Sequence, residues 1–236
     1  MNTVISKTSQ QETFPKARVY YTSSRPEIVR LFPDNVKRAL DVGCGSGNLG
    51  RSLKECYPDL EIIGIEVNNE ASQQARKYYS NVLTADIESS VFSFAKNYFD
   101  VIILADVLEH LKDPWALLKQ SRAWLREGGC LLISIPNIRY YRCLLNLACR
   151  GQFKYEPHGI LDIGHLRFFT LRMTKGYLAR EHFVISKIER NFSGYFSWFF
   201  NLLAFNIFAD FFTRQYLILA KKKGGIDETD YSNSLS

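Results

Sequence analysis

Residues 38–50 read Arg-Ala-Leu-Asp-Val-Gly-Cys-Gly-Ser-Gly-Asn-Leu-Gly, an apolar run that leads through a carboxylate into four closely spaced glycines. No other segment constrains the fold as much. Glycines at 43, 45 and 47 predict a tight strand-to-helix turn, because glycine adopts positive φ without strain and presents no Cβ to a bound molecule. In an open α/β sheet such a turn lies at the carboxyl end of a strand, where nucleoside-sized ligands bind. The next apolar run, Glu-Ile-Ile-Gly-Ile-Glu, ends at Glu66, 19 residues beyond Gly47. A carboxylate at that strand end can hydrogen-bond both ribose hydroxyls of an adenosine.

Asp41 bears on which adenosine compound this would be. It stands two residues before the first glycine, where a dinucleotide would bring its pyrophosphate. Two like charges about 4 Å apart at an effective dielectric of about 20 repel by roughly 4 kcal/mol. S-adenosylmethionine has no phosphate and carries a sulfonium and an ammonium, so an acidic entrance favours it. A local role for Asp41 stays open beside this one, as a cap of the following helix or an acceptor for loop N–H groups.

Short apolar runs alternate with amphipathic stretches along the chain, the βαβ pattern of a parallel sheet covered on both faces. Strands are predicted at 38–42, 61–66, 81–85, 100–105 and 130–135. Asp113 and Pro114 predict an N-cap and first turn. Leu117, Leu118, Ser121, Trp124 and Leu125 follow at helical spacing until Gly128 and Gly129. A helix at 171–181 and strands at 183–190 and 215–221 complete the pattern. With 236 residues, 46% of them hydrophobic, one domain can bury a substantial core.

The glycine loop resembles motif I of the class I S-adenosylmethionine-dependent methyltransferases, and three later segments continue the match. Asp86 and Ile87, in Leu-Thr-Ala-Asp-Ile-Glu, stand where that family places an acidic residue on the adenine amino group and an apolar residue on the ring face. Residues 99–111, Phe-Asp-Val-Ile-Ile-Leu-Ala-Asp-Val-Leu-Glu-His-Leu, resemble its fourth strand and exit loop, and residues 125–137 its fifth strand. The resemblance covers residues 18–223. It implies an α/β, Rossmann-like sheet of seven strands with an antiparallel last strand and helices on both faces. It also implies S-adenosyl-L-methionine held by Asp41, Gly43, Cys44, Gly45, Gly47, Asn48, Glu66, Val67, Asp86, Ile87, Ala105 and Asp106. On this reading residues 1–17 are an N-terminal arm, 136–170 and 192–212 are acceptor-side insertions, and 224–236 are a tail.

Residues 19–29, 136–141 and 159–170 further resemble small bacterial methyltransferases encoded in surface-polysaccharide gene clusters, more distantly related to ubiquinone-biosynthesis O-methyltransferases. That resemblance places Tyr21 and Arg25 over the cofactor carboxylate or the acceptor. It lines the acceptor pocket with His110, Asn137, Tyr140, Asp162, His165 and Arg167. Methyl transfer to a hydroxyl needs a general base within about 3 Å of it. Of the four histidines, His110 and His165 are the candidates. Each has a structural alternative, His110 as a helix-start residue turned to solvent or packed on the loop and His165 within a turn stapled by an Asp/Arg pair. His158 reads as a loop residue and His182 as packing at a strand start.

The five cysteines form no CxxC pair and no Cys/His ligand spacing, so no metal site is expected and a reducing cytoplasm is implied. The N-terminus has no apolar signal-peptide core. The net charge of +6 is scattered rather than arranged as a basic stripe with interleaved aromatics, which points away from nucleic acid. The expected activity is methylation, at oxygen, of a small molecule or glycan precursor. Two alternatives stay open: a lipid-linked acceptor, with aromatic residues 192–212 resting on the inner membrane, and a cofactor-binding scaffold without turnover.

Overall fold

The computed structural model describes residues 24–192 and 209–224. Tyr21, the arm at 1–17, most of 192–212 and all but the first residue of 224–236 lie outside them. Helix α1 (Pro26–Leu31) precedes β1 (Arg38–Val42), α2 (Asn48–Cys56), β2 (Glu61–Glu66), α3 (Asn69–Ala75) and β3 (Asn81–Thr84). Then come β4 (Phe99–Ala105), a 3₁₀ turn (Leu108–His110), α4 (Pro114–Trp124), β5 (Leu125–Pro136) and α5 (Tyr141–Arg150). Helix α6 (Leu171–Arg180), β6 (Phe183–Phe192), a helical turn (Ala209–Phe212) and β7 (Thr213–Lys222) complete the order.

The seven strands form one sheet in the order β3-β2-β1-β4-β5-β7-β6. Strands β1 to β5 are parallel, and β7 runs antiparallel to both β5 and β6. Strand order reverses between β1 and β4, and the crevice at their carboxyl ends is where an open sheet of this kind binds ligands.

The continuous apolar runs are explained by burial on two faces. Along β4, Ile102 and Leu104 pack with Leu117, Leu118, Trp124 and Leu178 from α4 and α6. Val101 and Ile103 point the other way, among Ile28, Leu49, Leu53 and Ala75 from α1, α2 and α3. Asp100 ties the sheet at its opposite end: Oδ2 accepts from the Lys37 and Arg38 amides at 2.9 and 2.8 Å, and Oδ1 accepts from Arg126.

Asp113 caps α4 as expected, accepting from the Ala116 amide at 3.1 Å. The helix stops earlier than Gly128 and Gly129 suggest. Leu125 already pairs with Phe99 as the first residue of β5, and a bulge between Phe99 and Val101 absorbs the glycines. Pairing with β4 takes the place of one more helical turn. The final strands are also longer than predicted, reaching Phe192 in β6 and starting at Thr213 in β7.

Candidate active site

The carboxyl ends of β1, β2 and β3 bring together the residues expected to hold the cofactor. Gly43, Gly45 and Gly47 all have positive φ, as the turn requires. Gly47 caps α2 at φ 89°, where a Cβ would come within 2.7 Å of the Ala75 backbone, so only glycine fits. Glu66 is 7% exposed. Its Oε2 accepts from the Gly45 amide at 2.9 Å and Oε1 from the Asn68 amide at 2.8 Å. Each oxygen of a carboxylate has more than one acceptor site, so Glu66 can hold the loop and still accept from two hydroxyls. Val67 beside it is 68% exposed. Asp86 is exposed and Ile87 half-buried, with Asp86 accepting from the Glu88 amide. Cys44 is buried against this loop, while Asn48 and Ala105 are half-buried.

Asp41 is placed differently from the expectation that it opens into the crevice. It is 2% exposed and accepts from the Tyr79 hydroxyl at 2.5 Å. Tyr79 in turn accepts from the Gly50 amide at 3.1 Å, so Asp41 reaches α2 through a tyrosine clamp. Burial lifts the Asp41 carboxyl to about 7, with the Tyr79 hydrogen bond and the Arg25 charge acting in the opposite direction. Among the described residues Asp41 is neither a cap of α2 nor an acceptor for loop N–H groups, since its hydrogen bond comes from a side-chain hydroxyl.

Asp106 forms the centre of a second cluster. Arg25 donates to its Oδ2 at 2.6 Å, and Ser134 and Gln215 donate to Oδ1 at 2.9 and 2.6 Å. Arg25 also donates to Ser134 Oγ and Glu27. These bonds join the chain ahead of α1 to the exit of β4, to β5 and to β7. Arg25 and Asp106 hold this contact at positive φ, 50° and 56°. Non-glycine residues in that region persist only where their surroundings over-determine them, commonly at functional sites.

On the acceptor side, the segment 159–170 folds back over the 3₁₀ turn after β4. The Leu166 and Arg167 amides donate to the Glu109 carbonyl at 2.8 and 3.0 Å, and the Arg167 guanidinium donates to the Lys112 carbonyl. His165 is thereby carried against His110, with ring centroids 4.7 Å apart and planes at 74°. His110 Nδ1 lies 3.0 Å from the Gly164 carbonyl, and His165 Nδ1 lies 2.9 Å from that of Ile160. Glu109 lies beside both rings, 1% exposed. Burial first, then the Asp106 charge, hold its carboxyl well above the usual carboxylate range.

Four residues expected in the acceptor pocket make structural contacts. Asn137 is fully buried and donates to the Asp210 and Thr213 carbonyls at 2.6 and 2.8 Å, locking the end of β5 to the start of β7. Arg167 is an exposed staple to the β4 exit loop, and Asp162 accepts from the Gly164 amide at 2.6 Å rather than pairing with Arg167. Tyr140 is buried at the start of α5, against Tyr141. His158 is exposed and His182 sits at positive φ in the turn before β6. Sequence reasoning passed over Glu109, Tyr79, Ser134 and Gln215. Only Glu109 left a signal, within Asp-Val-Leu-Glu-His.

Residues 41–50 contain no Lys or Arg, and the side chains gathered at the strand ends are mainly carboxylates. Those carboxylates suit ribose hydroxyls and a cationic amino-acid moiety. Comparison with known proteins agrees. The solved structure of an S-adenosylmethionine-dependent methyltransferase from Archaeoglobus fulgidus aligns over 85% of this chain and 95% of its own, with a TM-score of 0.64 at 21% identity. A likeness at that identity shows the fold. The ubiquinone biosynthesis O-methyltransferase of Actinobacillus pleuropneumoniae serotype 5b is 32% identical over 110 residues, 43% of this chain and 46% of that protein. Phosphoethanolamine N-methyltransferase 1 of Triticum aestivum is 32% identical over 124 residues, 49% of this chain and 25% of that protein. The chain thus spans less than half the length of these curated relatives. The methyltransferase domain family matches across residues 17–185, and the chain belongs to that family.

Proposed function

We propose that this chain transfers a methyl group from S-adenosyl-L-methionine to an oxygen of a small molecule or glycan precursor. The observation that carries this reading is the acidic, glycine-lined crevice where strand order reverses, with Glu66 fixed at the end of β2 by two backbone amides. The cofactor supplies a carbon already activated by a positive sulfur. The chain's task is to hold it, align the acceptor and exclude water. Glu66 would accept from the ribose hydroxyls, Asp86 from the adenine amino group, and Val67 and Ile87 would cover the ring. Arg25 and Asp106 would position the chain ahead of α1 over the site. His110, in the turn after β4, and His165, packed against it, would face the acceptor.

Oxygen as the acceptor atom draws support from the ubiquinone O-methyltransferase similarity, while the similarity to an N-methyltransferase at the same identity makes nitrogen the rival. The surface-polysaccharide subgroup is a reading of residues 19–29, 136–141 and 159–170. The test is S-adenosylhomocysteine release with panels of catechols, nucleotide sugars, polyprenyl-linked sugars and primary amines. Turnover with a hydroxyl acceptor is expected. Turnover with amines alone would move the reaction to nitrogen, and tight cofactor binding with no turnover on any panel would favour a scaffold.

A further inference from the structure

Glu109, His110 and His165 form a constellation that methyl transfer by itself does not require. One nitrogen of each imidazole and one carboxylate oxygen of Glu109 lie within 4.8 Å of one another. Glu109 Oε2 is buried with no hydrogen-bond partner among the described residues. Leaving a buried polar atom unsatisfied costs about 1–3 kcal/mol, so such an atom in a folded protein asks for a reason.

The histidines supply it. Both Nδ1 atoms face backbone carbonyls, of Gly164 and Ile160. A carbonyl oxygen only accepts, so each Nδ1 carries the hydrogen, and a neutral ring then presents its lone pair at Nε2. This arrangement is the one found around metal-bound histidines, whose second N–H is donated to a backbone carbonyl or carboxylate, fixing tautomer and ring orientation. The backbone reinforces it, since the Leu166 and Arg167 amides on the Glu109 carbonyl hold the two segments together.

We propose that Glu109, His110 and His165 bind a divalent transition-metal ion. Two imidazoles and a carboxylate suit zinc, manganese, iron or cobalt in preference to magnesium or calcium. Ligand bonds of about 2.0–2.2 Å require the three donor atoms to draw together by roughly 1 Å on binding. Three protein ligands leave a coordination position open, as in catalytic zinc sites. Resting on the methyltransferase reading, that position would take the acceptor hydroxyl and lower its pKa, as a bound metal does for water. The hydroxyl proton leaves to solvent, the new C–O bond forms on the oxygen, and the C–S bond breaks with its electron pair remaining on sulfur. The histidines would then be ligands, and the search for a histidine base would have no object.

The test is equilibrium binding of Zn²⁺ and Co²⁺ to chelator-treated full-length protein, by titration calorimetry and the visible spectrum of Co²⁺. It is repeated on Glu109→Gln and His165→Gln, with circular dichroism to confirm folding. His110→Asn, at a half-buried position, serves if either buried variant fails to fold. One equivalent bound by the wild type, weakened about 100-fold or more in each folded variant, is expected. No stoichiometric binding, or binding that survives in the variants, would overturn the proposal. Because these readouts need no turnover, they separate the metal site from the activity. Turnover undiminished after metal removal would refute the metal's role and leave methyl transfer standing, whereas metal binding without cofactor binding would do the reverse.

Discussion

Replacing Asp41 with asparagine should make the protein more stable at pH 8 and change its stability little near pH 4. The carboxyl titrates near 7 in the fold because burial opposes its charge, against an ordinary value of 3.8. A raised folded-state value means that the native state binds the proton more tightly than the unfolded chain. The resulting stabilisation is complete below about 3.8, declines as pH rises, and is gone above about 7. A tenfold difference in proton affinity between the two states corresponds to about 1.4 kcal/mol, so the full interval sets a ceiling of about 4 kcal/mol. Relaxation of Tyr79 and entry of water on ionisation would reduce this to about half. Asparagine has the same shape and can still accept from the Tyr79 hydroxyl, but never takes the buried charge. Urea unfolding of both proteins at pH 5, 6, 7 and 8 should show a gap that widens by up to about 1.4 kcal/mol for each step in pH and flattens above 7. A gap independent of pH, or a variant that loses stability as pH rises, would refute the burial argument. It would mean that the charge of Asp41 is satisfied in the fold.

Glu66→Ala removes the acceptors of the Gly45 and Asn68 amides and should weaken S-adenosylmethionine binding by about 10- to 100-fold, equivalent to about 1.4–2.8 kcal/mol, read by calorimetry. Gly50→Ala would place a Cβ 2.2 Å from the Tyr79 ring and should cost about 1–3 kcal/mol of stability, seen as a lower urea midpoint. In Asp100, burial acts to raise the carboxyl, but bonds from Arg126, Arg38 and Lys37 bring it below its ordinary value. Its contribution is therefore present above pH about 4 and lost as pH falls further. Asp100→Ala should cost about 1–3 kcal/mol at pH 7 and progressively less in acid-unfolding measurements. Asn137→Ala should lower stability by about 1–3 kcal/mol while leaving the KM for S-adenosylmethionine within about twofold, since its side chain serves β5 and β7.

The parallel half of the sheet was legible because a strand buried on both faces writes itself as an unbroken apolar run, as in Val101–Leu104. The glycine loop was legible because Gly47 must take a positive φ against Ala75. Local sequence carries both signals. What was not legible depends on distance along the chain. Asp41 looked like a crevice residue because nothing near it in sequence announces Tyr79, 38 positions away, as the partner that draws it under the loop. Asn137 and Arg167 have the chemistry of pocket residues, and only the return of β7 and of the 159–170 segment reveals backbone carbonyls as their targets. A search for metal ligands by short spacing passes over Glu109 and His110, whose third partner, His165, arrives 55 residues after His110 in a segment with no regular structure.

Isothermal titration into the wild type and Glu66→Ala, with S-adenosylmethionine, S-adenosylhomocysteine and NAD in parallel, decides whether the acidic glycine crevice is an S-adenosylmethionine site. Saturable binding of both adenosyl-sulfur compounds at one site per chain is expected, at least tenfold weaker in the variant, with no binding of NAD. Binding of NAD in preference to S-adenosylmethionine, or equal affinity in wild type and variant, would contradict that assignment.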